Sequence, residues 1–329
     1  MDVIAANITA AIDAINDVVW GYVLIYGLLA VGAYFSIRLR FLQLFKFGEF
    51  IRSVTRTPEK DSHGITPIQA LTTSLASRVG TGNIAGVAVA VYTGGPGALF
   101  WMWVVAFLGM ATAYAESTLA QLYKVSDHDG LYRGGPAFYI TRGLNAPWAG
   151  ALFSIILLVV FGLVFNAVQA NAIAESLNES FQLDRIQIGV GVAILSALVI
   201  FGGIRNIARV AEVVVPFMAV AYLGVALWVM VANIDRVPAV IGLIIKSAFG
   251  FEQAAGGVMG SMAAAMLNGV KRGLFSNEAG MGSTPHAHAT ADVQHPVQQG
   301  MAAFVGVFID TLLVCTATAL IILLTDADQ

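Results

Sequence analysis

Long apolar stretches with few charges follow one another along most of the sequence. The first, Val18–Ile37, holds 20 residues without a charge, which is enough for a helix to cross about 30 Å of hydrocarbon. The pattern predicts eight membrane spans and one short apolar segment, 237–249, which is too brief to span and is typical of an interfacial or re-entrant segment. The predicted spans are Val18–Ile37, 66–93, 97–123, Gly143–Ala174, Ile186–Ile204, Val213–Ile234, 254–291 and 298–325.

The apolar runs of Leu, Ile, Val, Ala and Gly lack the two-residue alternation of a transmembrane β-barrel. Only helices and closed barrels satisfy the backbone polar groups of a segment surrounded by lipid. The sequence therefore predicts an all-α, polytopic helical bundle that forms a single membrane domain over residues 1–329.

Composition supports a membrane protein. Apolar residues make up 58% of the chain, charged residues only 11%, and mean hydropathy is +0.79. Soluble domains carry about 25% charged residues. The net charge of −3 gives no indication of a nucleic-acid partner, and the single cysteine, Cys315, excludes an intramolecular disulfide. The acidic amino terminus lacks the basic region of a secretory signal.

The distribution of basic residues predicts the orientation of the bundle. When the amino terminus is placed outside, eleven of the 17 Lys and Arg residues fall in inner loops and three in outer loops. Inner loops of membrane proteins carry an excess of Lys and Arg. We therefore expect a multi-pass protein of the plasma (inner) membrane with its amino terminus outside.

Two predicted spans are interrupted by glycine and polar residues, at Ser77–Gly86 and at Phe275–Thr284. Clustered glycine and asparagine favour local unwinding, and the freed backbone groups must be buried in protein or line a polar cavity. The alternative interpretation is that these small residues only let helices approach closely. The interruptions are related, because Asn83, Ala85 and Gly86 recur 194 residues later. Paired interrupted helices of opposite direction indicate an inverted-repeat transporter with a central site.

The same segments resemble the sodium:alanine (alanine or glycine:cation) symporter family. The resemblance extends from about residue 18 to 325. It is carried by SLASRVGTGNIAGVA at 74–88, GGPGALFWMW at 94–103, GMATAYAESTLAQLYK at 109–124, GGPAFYITRGL at 134–144, VQANAIAESL at 168–177 and GLFSNEAGMGSTPHAHA at 273–289.

The resemblance implies a LeuT-like fold of the amino acid-polyamine-organocation superfamily. It implies an extra amino-terminal helix at 18–37, a first repeat at about 66–234, the interfacial segment 237–249 and a partial second repeat at about 254–325. Family members continue beyond residue 324 with further spans, so we expect the carboxy-terminal helices of the family to be missing from this chain. The implied activity is sodium-coupled symport of a small neutral amino acid, alanine or glycine, by alternating access. No enzymatic activity and no cofactor besides the coupling sodium ion are expected.

The family pattern also assigns roles to residues at the two interruptions. Sodium prefers oxygen ligands, which favours Asn83, Ser276 and Asp310 for one cation site; the backbone carbonyls of Ala76 and Val79 are candidates for another. We expect the pocket to accept only small side chains, because glycines line both interruptions. The candidate substrate-binding residues are Thr81, Gly82, Asn83, Gln169, Phe275, Ser276, Asn277 and Gly280.

Each candidate has a structural alternative. Gln169 could form an interhelical hydrogen bond instead of contacting substrate. The buried carboxylates Glu116 and Glu212 are expected to form ion pairs, and His286 and His288 are expected to be solvated instead of binding a metal.

Two other functions remain open on the sequence. One is a symporter of the same fold that is coupled to protons or carries another solute. The other is a sensor that binds an amino acid without transporting it. The sequence does not distinguish alanine from glycine or serine, nor an L from a D substrate, and it gives no stoichiometry or oligomeric state.

Overall fold

A computed structural model describes residues 2–45, 47–54, 64–127, 130–250 and 260–325. These residues are helical nearly throughout, as the sequence predicts. The α-helices are α1 Asp2–Val18, α2 Ile25–Arg38, α3 Leu42–Phe45, α4 Phe47–Val54, α5 Pro67–Arg78, α6 Ala85–Gly94, α7 Ala98–Leu122, α8 Pro136–Gly143, α9 Pro147–Val159, α10 Phe165–Phe181, α11 Arg185–Ile200, α12 Gly203–Ala232, α13 Val237–Ala248, α14 Gly260–Asn277, α15 Thr284–Ala289, α16 Val297–Val307 and α17 Thr316–Leu324.

In the part of the chain that the structure describes, three π-helical stretches join α-helices end to end. They are π1 Val19–Leu24, between α1 and α2; π2 Val160–Val164, between α9 and α10; and π3 Phe308–Cys315, between α16 and α17. A π turn holds more residues than an α turn and is common at functional sites. Each pair of α-helices that is joined in this way forms one continuous helix.

Five helices in the described ranges are long and apolar enough to cross a membrane: Thr9–Arg38, Ala98–Leu122, Pro147–Phe181, Gly203–Ala232 and Val297–Leu324. The eight predicted spans correspond to these five, to α11, and to the two interrupted helices. The boundaries differ from the predictions: the first helix begins well before Val18, and α12 begins at Gly203. The short segment predicted at 237–249 forms helix α13. Residues 254–259 of the seventh predicted span lie outside the described residues.

Both predicted interruptions are confirmed as breaks between helices. α5 ends at Arg78 and α6 begins at Ala85, while α14 ends at Asn277 and α15 begins at Thr284. The first of these helices starts at a capping box. The Thr66 hydroxyl accepts a hydrogen bond from the backbone N–H of Gln69 (3.2 Å), and the Gln69 side chain accepts one from the N–H of Thr66 (3.0 Å).

Helix α7 lies at the centre of the bundle and packs against α2, α14, α15 and α16. Glycines let three of these neighbours approach closely. A Cβ added to Gly32 of α2 would lie 2.9 Å from the Leu108 Cβ, and one added to Gly269 of α14 would collide with the carbonyl oxygen of Ala98. Gly300 of α16 approaches the Tyr114 carbonyl oxygen in the same way. This packing by small residues is typical of helices in membranes.

A short hairpin follows α7 outside the membrane-spanning helix. Strands β1 Val125–Ser126 and β2 Tyr132–Arg133 pair antiparallel. The Lys124 ammonium group lies 3.7 Å from the centre of the Tyr132 ring and donates a hydrogen bond to the Ala291 carbonyl oxygen (2.7 Å). Burial lowers the pKa of Lys124 to about 8, while nearby Asp292 opposes that shift. These contacts tie the end of α7 to the segment that follows α15.

We predict that Gly269→Ala destabilises the bundle by about 1–3 kcal/mol, the usual cost of overpacking. The added methyl group would push α14 away from α7. The measurement is thermal unfolding of the detergent-solubilised protein. Gly224→Ala in α12 is the matched control, because nothing lies within 4 Å of a Cβ added there. Equal melting temperatures for the two variants would contradict the assigned contact.

Candidate functional site

The two helix breaks meet through their side chains in the interior of the bundle. Asn83 closes the first break and Ser276 precedes the second, and the Asn83 amide Nδ2 donates a hydrogen bond to the Ser276 Oγ (3.0 Å). The same Nδ2 donates to the Asp310 carboxylate oxygen Oδ1 (2.7 Å), and the Ser276 hydroxyl donates to its Oδ2 (2.9 Å). We refer to Asn83, Ser276 and Asp310 as the Asn83 cluster. All three residues are fully buried.

The structure therefore brings together the three side chains that were predicted to form one cation site. Three further groups surround the Asn83 cluster. The Thr311 hydroxyl donates to Asp310 Oδ2 (2.7 Å), and the Asp310 carbonyl oxygen lies 3.2 Å from Asn83 Nδ2. The Cys315 thiol lies 3.2 Å from the Ser276 hydroxyl and 3.3 Å from Asn83 Nδ2.

The donor set of the Asn83 cluster suits a hard cation. Carboxylate, hydroxyl and backbone carbonyl oxygens are the ligands such ions prefer. In this structure Nδ2 of Asn83 lies among these oxygens, while its Oδ1 accepts a hydrogen bond from the Gly80 backbone N–H (2.9 Å). Coordination by the Asn83 oxygen would therefore require the amide to turn away from Gly80.

Sequence reasoning missed Cys315 as a neighbour of the Asn83 cluster. The π3 stretch places Asp310 and Cys315 on the same buried face, five residues apart. In an α-helix of 3.6 residues per turn, residues five apart point in different directions. A helix pattern of ordinary period could not have signalled this contact.

A cavity of about 690 Å³ adjoins the first break, and we call it the central cavity. Thr81 and Gln169 line it, and the Gln169 side-chain oxygen accepts a hydrogen bond from the Thr81 backbone N–H (3.2 Å). Thus Gln169 contacts the unwound backbone directly instead of another regular helix. Ala76 and Val79 also line this cavity, so they lie apart from the Asn83 cluster.

Aromatic rings form one side of the site. Phe275 stacks on Phe165 with ring centres 5.1 Å apart, and Phe165 stacks on Phe161 at 4.5 Å. Gly82 packs against this wall, because a Cβ added to it would lie 3.3 Å from the Phe275 ring. The π2 stretch, which contains Phe161, immediately precedes Phe165.

Two predicted substrate residues lie elsewhere. The Asn277 side chain is buried beside Gly109 of α7, and its oxygen accepts a hydrogen bond from the backbone N–H of Ala279 (3.0 Å). Gly280 has φ +86°, and a Cβ added to it would lie 2.9 Å from the end of Leu28. Neither residue lines the central cavity.

Gly282 also points away from the central cavity, because a Cβ added to it would meet the Phe153 ring at 2.7 Å. Glycines of the second break therefore do not narrow this cavity. The expectation of a pocket restricted by glycines at both breaks is wrong in that respect.

Glu278 is a lining residue that the candidate set omitted. It has φ +51°, is 2% exposed and borders the central cavity. Its carboxylate accepts hydrogen bonds from the hydroxyls of Ser77 (3.1 Å) and Ser283. The signal in the sequence was its position inside the second break, and the hydroxyl contacts across the breaks became apparent only from the fold.

Hydrogen bonds, instead of the expected ion pairs, satisfy two other carboxylates, the buried Glu116 and the partly buried Glu212. Glu116 accepts from the Gly280 backbone N–H (3.2 Å), and Glu212 accepts from the Gln69 amide (2.9 Å). Within the described residues neither carboxylate lies within 4.0 Å of a Lys or Arg nitrogen. Arg78 donates to the Thr284 hydroxyl (2.9 Å) and interacts with Glu116 only at longer range.

The histidines differ from the expectation that both would be solvated. His288 is fully buried, and its Nδ1 lies 2.6 Å from the Gln299 side-chain oxygen. His286 is partly buried, with Nδ1 2.9 Å from the Gly282 carbonyl oxygen. Among the described residues, no group of three or more His, Cys, Asp or Glu side chains could hold a metal ion.

Membrane-spanning helices with two breaks beside a cavity that Thr81, Gln169 and Glu278 line are typical of a multi-pass membrane protein of the transporter class. A model of the sodium:alanine symporter family matches residues 5–329. The chain belongs to that family of symporters.

Three relatives illustrate the range of the family. The chain is 49% identical to the probable sodium/glutamine symporter GlnT of Bacillus subtilis, over 95% of this chain and 65% of the relative. It is 47% identical to the putative sodium/proton-dependent alanine carrier protein YrbD of Bacillus subtilis, over 95% of this chain and 64% of the relative. It is 39% identical to the sodium/alanine symporter AgcS of Methanococcus maripaludis, over 96% of this chain and 70% of the relative. The chain thus spans just under two thirds of the two Bacillus relatives.

We predict that Gly280→Ala lowers the melting temperature and leaves alanine affinity nearly unchanged. A side chain at φ +86° costs about 1–2 kcal/mol, but the strain arises beside Leu28, away from the cavity. Thermal unfolding and equilibrium binding of labelled alanine are the measurements. Gly82→Ala, which crowds Phe275, is the comparison variant and is expected to weaken binding. A larger loss of affinity in Gly280→Ala than in Gly82→Ala would return Gly280 to the substrate site.

Proposed function

We propose that this protein is a secondary active transporter that couples the inward movement of a small neutral amino acid, alanine or glycine, to sodium. The observation that carries the proposal is the meeting of two helix breaks at the buried Asn83 cluster, beside a cavity lined by Thr81 and Gln169. Sodium would bind among the oxygens of Asn83, Ser276 and Asp310. Membership of the symporter family supports the same activity.

The site offers complementary groups for a zwitterion. Unwound backbone at the first break can offer N–H groups to a carboxylate. In this structure the Thr81 N–H donates to the Gln169 side-chain oxygen, which the substrate carboxylate would replace. Glu278 borders the same cavity and supplies negative charge for an ammonium group. The Ala76 and Val79 carbonyls at the cavity wall are the proposed ligands of a second sodium ion. We also propose that the amino terminus lies outside the plasma membrane and that the two interrupted helices belong to inverted repeats of a LeuT-like fold.

Alternating access would then consist of movements of the two interrupted helices around the Asn83 cluster. Sodium entering the cluster would replace the Asn83 Nδ2 hydrogen bonds with oxygen–cation contacts. The bound ion would stabilise the arrangement in which both breaks face each other. Substrate in the adjoining cavity would stabilise the same arrangement.

A second candidate substrate is a larger polar amino acid such as glutamine. The central cavity, at about 690 Å³, falls well inside the range of about 300–1,000 Å³ that is usual for small-molecule sites. Asn166 and Ser176 add polar groups to its lining. One relative is named a probable sodium/glutamine symporter, which supports the same candidate.

The direct test is uptake of labelled alanine into liposomes that contain the full-length protein. An inward sodium gradient should drive accumulation, and replacement of sodium by choline should abolish it. Uptake driven equally by a proton gradient without sodium would favour the proton-coupled alternative. Binding without uptake under any gradient would favour the sensor.

We predict that Asn83→Ala raises the sodium concentration for half-maximal uptake by about tenfold or more, the loss expected for a charge-assisted contact. The variant removes the side-chain amide whose oxygen would reach the cation once the amide turns away from the Gly80 N–H. Asn166→Ala is the control, since Asn166 lines the cavity but makes its hydrogen bond to Gly162 within its own helix. An unchanged half-maximal concentration in Asn83→Ala would remove Asn83 from the cation site.

We predict that excess alanine or glycine abolishes uptake of labelled alanine, while excess phenylalanine competes weakly. The stacked rings of Phe165 and Phe275 already occupy one side of the site. Competition is measured at fixed sodium concentration. Stronger competition by glutamine than by alanine would favour the second candidate, and strong competition by phenylalanine would show that the aromatic wall does not limit size.

A further inference from the structure

A second cavity of about 410 Å³ also borders the first break, and we call it the Arg272 cavity. It is bordered by α6, by α10 and by the end of α14 that precedes the second break. It shares Thr81, Ala85 and Ala172 with the central cavity. The two cavities are therefore neighbours along the first break, and Phe275 lines the Arg272 cavity.

Arg272 is the only charged residue that lines this cavity within the described part of the chain. Its guanidinium group makes no hydrogen bond or ion pair with another described residue. A cation within a membrane helix is costly and normally faces a partner or a water-filled cavity. Gly86 gives it room, because a Cβ added there would lie 4.0 Å from Arg272 Cδ. The side chain is therefore available to an anion that enters the cavity.

The other polar groups around the cavity can also donate hydrogen bonds. Asn171 contributes an amide, and Thr81 contributes a buried hydroxyl without a partner among the described residues. No carboxylate of the described chain lines this cavity, whereas Glu278 lines the central cavity. The Arg272 cavity therefore carries positive charge and the central cavity carries negative charge, and Thr81 lines both.

We propose that the Arg272 cavity is a loading site that captures the α-carboxylate of the amino acid before it reaches the central cavity. The guanidinium group presents paired N–H donors that match a carboxylate in bidentate geometry. Asn171 and Thr81 then donate hydrogen bonds to the carboxylate as it moves past Phe275 toward the unwound backbone. The inference rests on the proposed transport function. With the amino terminus outside, this cavity lies on the outer side of the breaks, where substrate arrives.

The test compares Arg272→Gln, Arg272→Lys and Lys271→Gln in the full-length protein reconstituted in liposomes. Lys271 is the matched control: it is the neighbouring cation of the same helix but lines neither cavity. We expect Arg272→Gln to raise KM for alanine about tenfold with kcat nearly unchanged, the loss of one charged hydrogen-bonded contact. Arg272→Lys should give a KM between those of Arg272→Gln and the unmodified protein, because lysine keeps the charge and loses the paired N–H donors. Lys271→Gln should match the unmodified protein.

Two further readouts separate capture of a carboxylate from a packing role. Added choline chloride should lower kcat/KM of the unmodified protein, because salt screens the attraction to Arg272, and should have much less effect on Arg272→Gln. Alaninamide, which lacks the carboxylate, should compete equally poorly against the unmodified protein and Arg272→Gln.

Equal KM values for Arg272→Gln and Lys271→Gln would overturn the proposal. Loss of folded, monodisperse protein in both Arg272 variants would also overturn it, because Arg272 would then serve packing. Failure of the unmodified protein to accumulate alanine would instead refute the proposed transport function. Equilibrium binding of labelled alanine to the unmodified protein and Arg272→Gln would still decide the loading site in that case.

Discussion

The hydrogen bond between Asn83 and Asp310 (2.7 Å) is the interaction on which the site depends. A fully buried carboxylate is tolerated only when its oxygens are satisfied, since leaving it unpaired would cost several kcal/mol. Asp310 receives hydrogen bonds from Asn83 and Ser276, which belong to the two breaks. Satisfying this one carboxylate therefore requires both interrupted helices to be in place. The position of π3 is fixed by the same contacts.

At each break, side chains also form hydrogen bonds with the backbone N–H groups of the unwound segment. Asn83 accepts the N–H of Gly80 and Asn277 accepts the N–H of Ala279, so an asparagine supports the backbone at both breaks. Glu116 of α7 accepts the N–H of Gly280, which ties the second break to the central helix. Side chains thus replace the helical hydrogen bonds that the breaks give up, as a segment at membrane depth requires.

The sequence was sufficient for the parts that depend on local chemistry. Apolar length predicted the helices, and clustered glycine and polar residues predicted the breaks to within a few residues. Ser276 and Asp310 were joined to Asn83 through the family pattern, and the contacts of the fold agree with that grouping. The sequence could not show which neighbours the residues of the second break face. Glycines of the second break turn toward Leu28 and Phe153 because of positive φ angles, which no periodicity encodes.

The π-helical stretches account for most of the contacts at the site that the sequence did not predict. An apolar pattern of period 3.6 describes α16 and α17 well, but π3 between them brings Cys315 onto the face of Asp310. Likewise π2 contains Phe161 and directly precedes Phe165, two of the three rings of the aromatic wall that ends at Phe275. Both stretches adjoin the proposed site, and neither is marked by glycine or proline breaks of the kind that mark the interrupted helices. A π turn offers a helix in a membrane a way to redirect side chains without freeing backbone groups. The bundle therefore combines two solutions: unwinding at the two breaks, where side chains satisfy the backbone, and π turns where only side chains are repositioned.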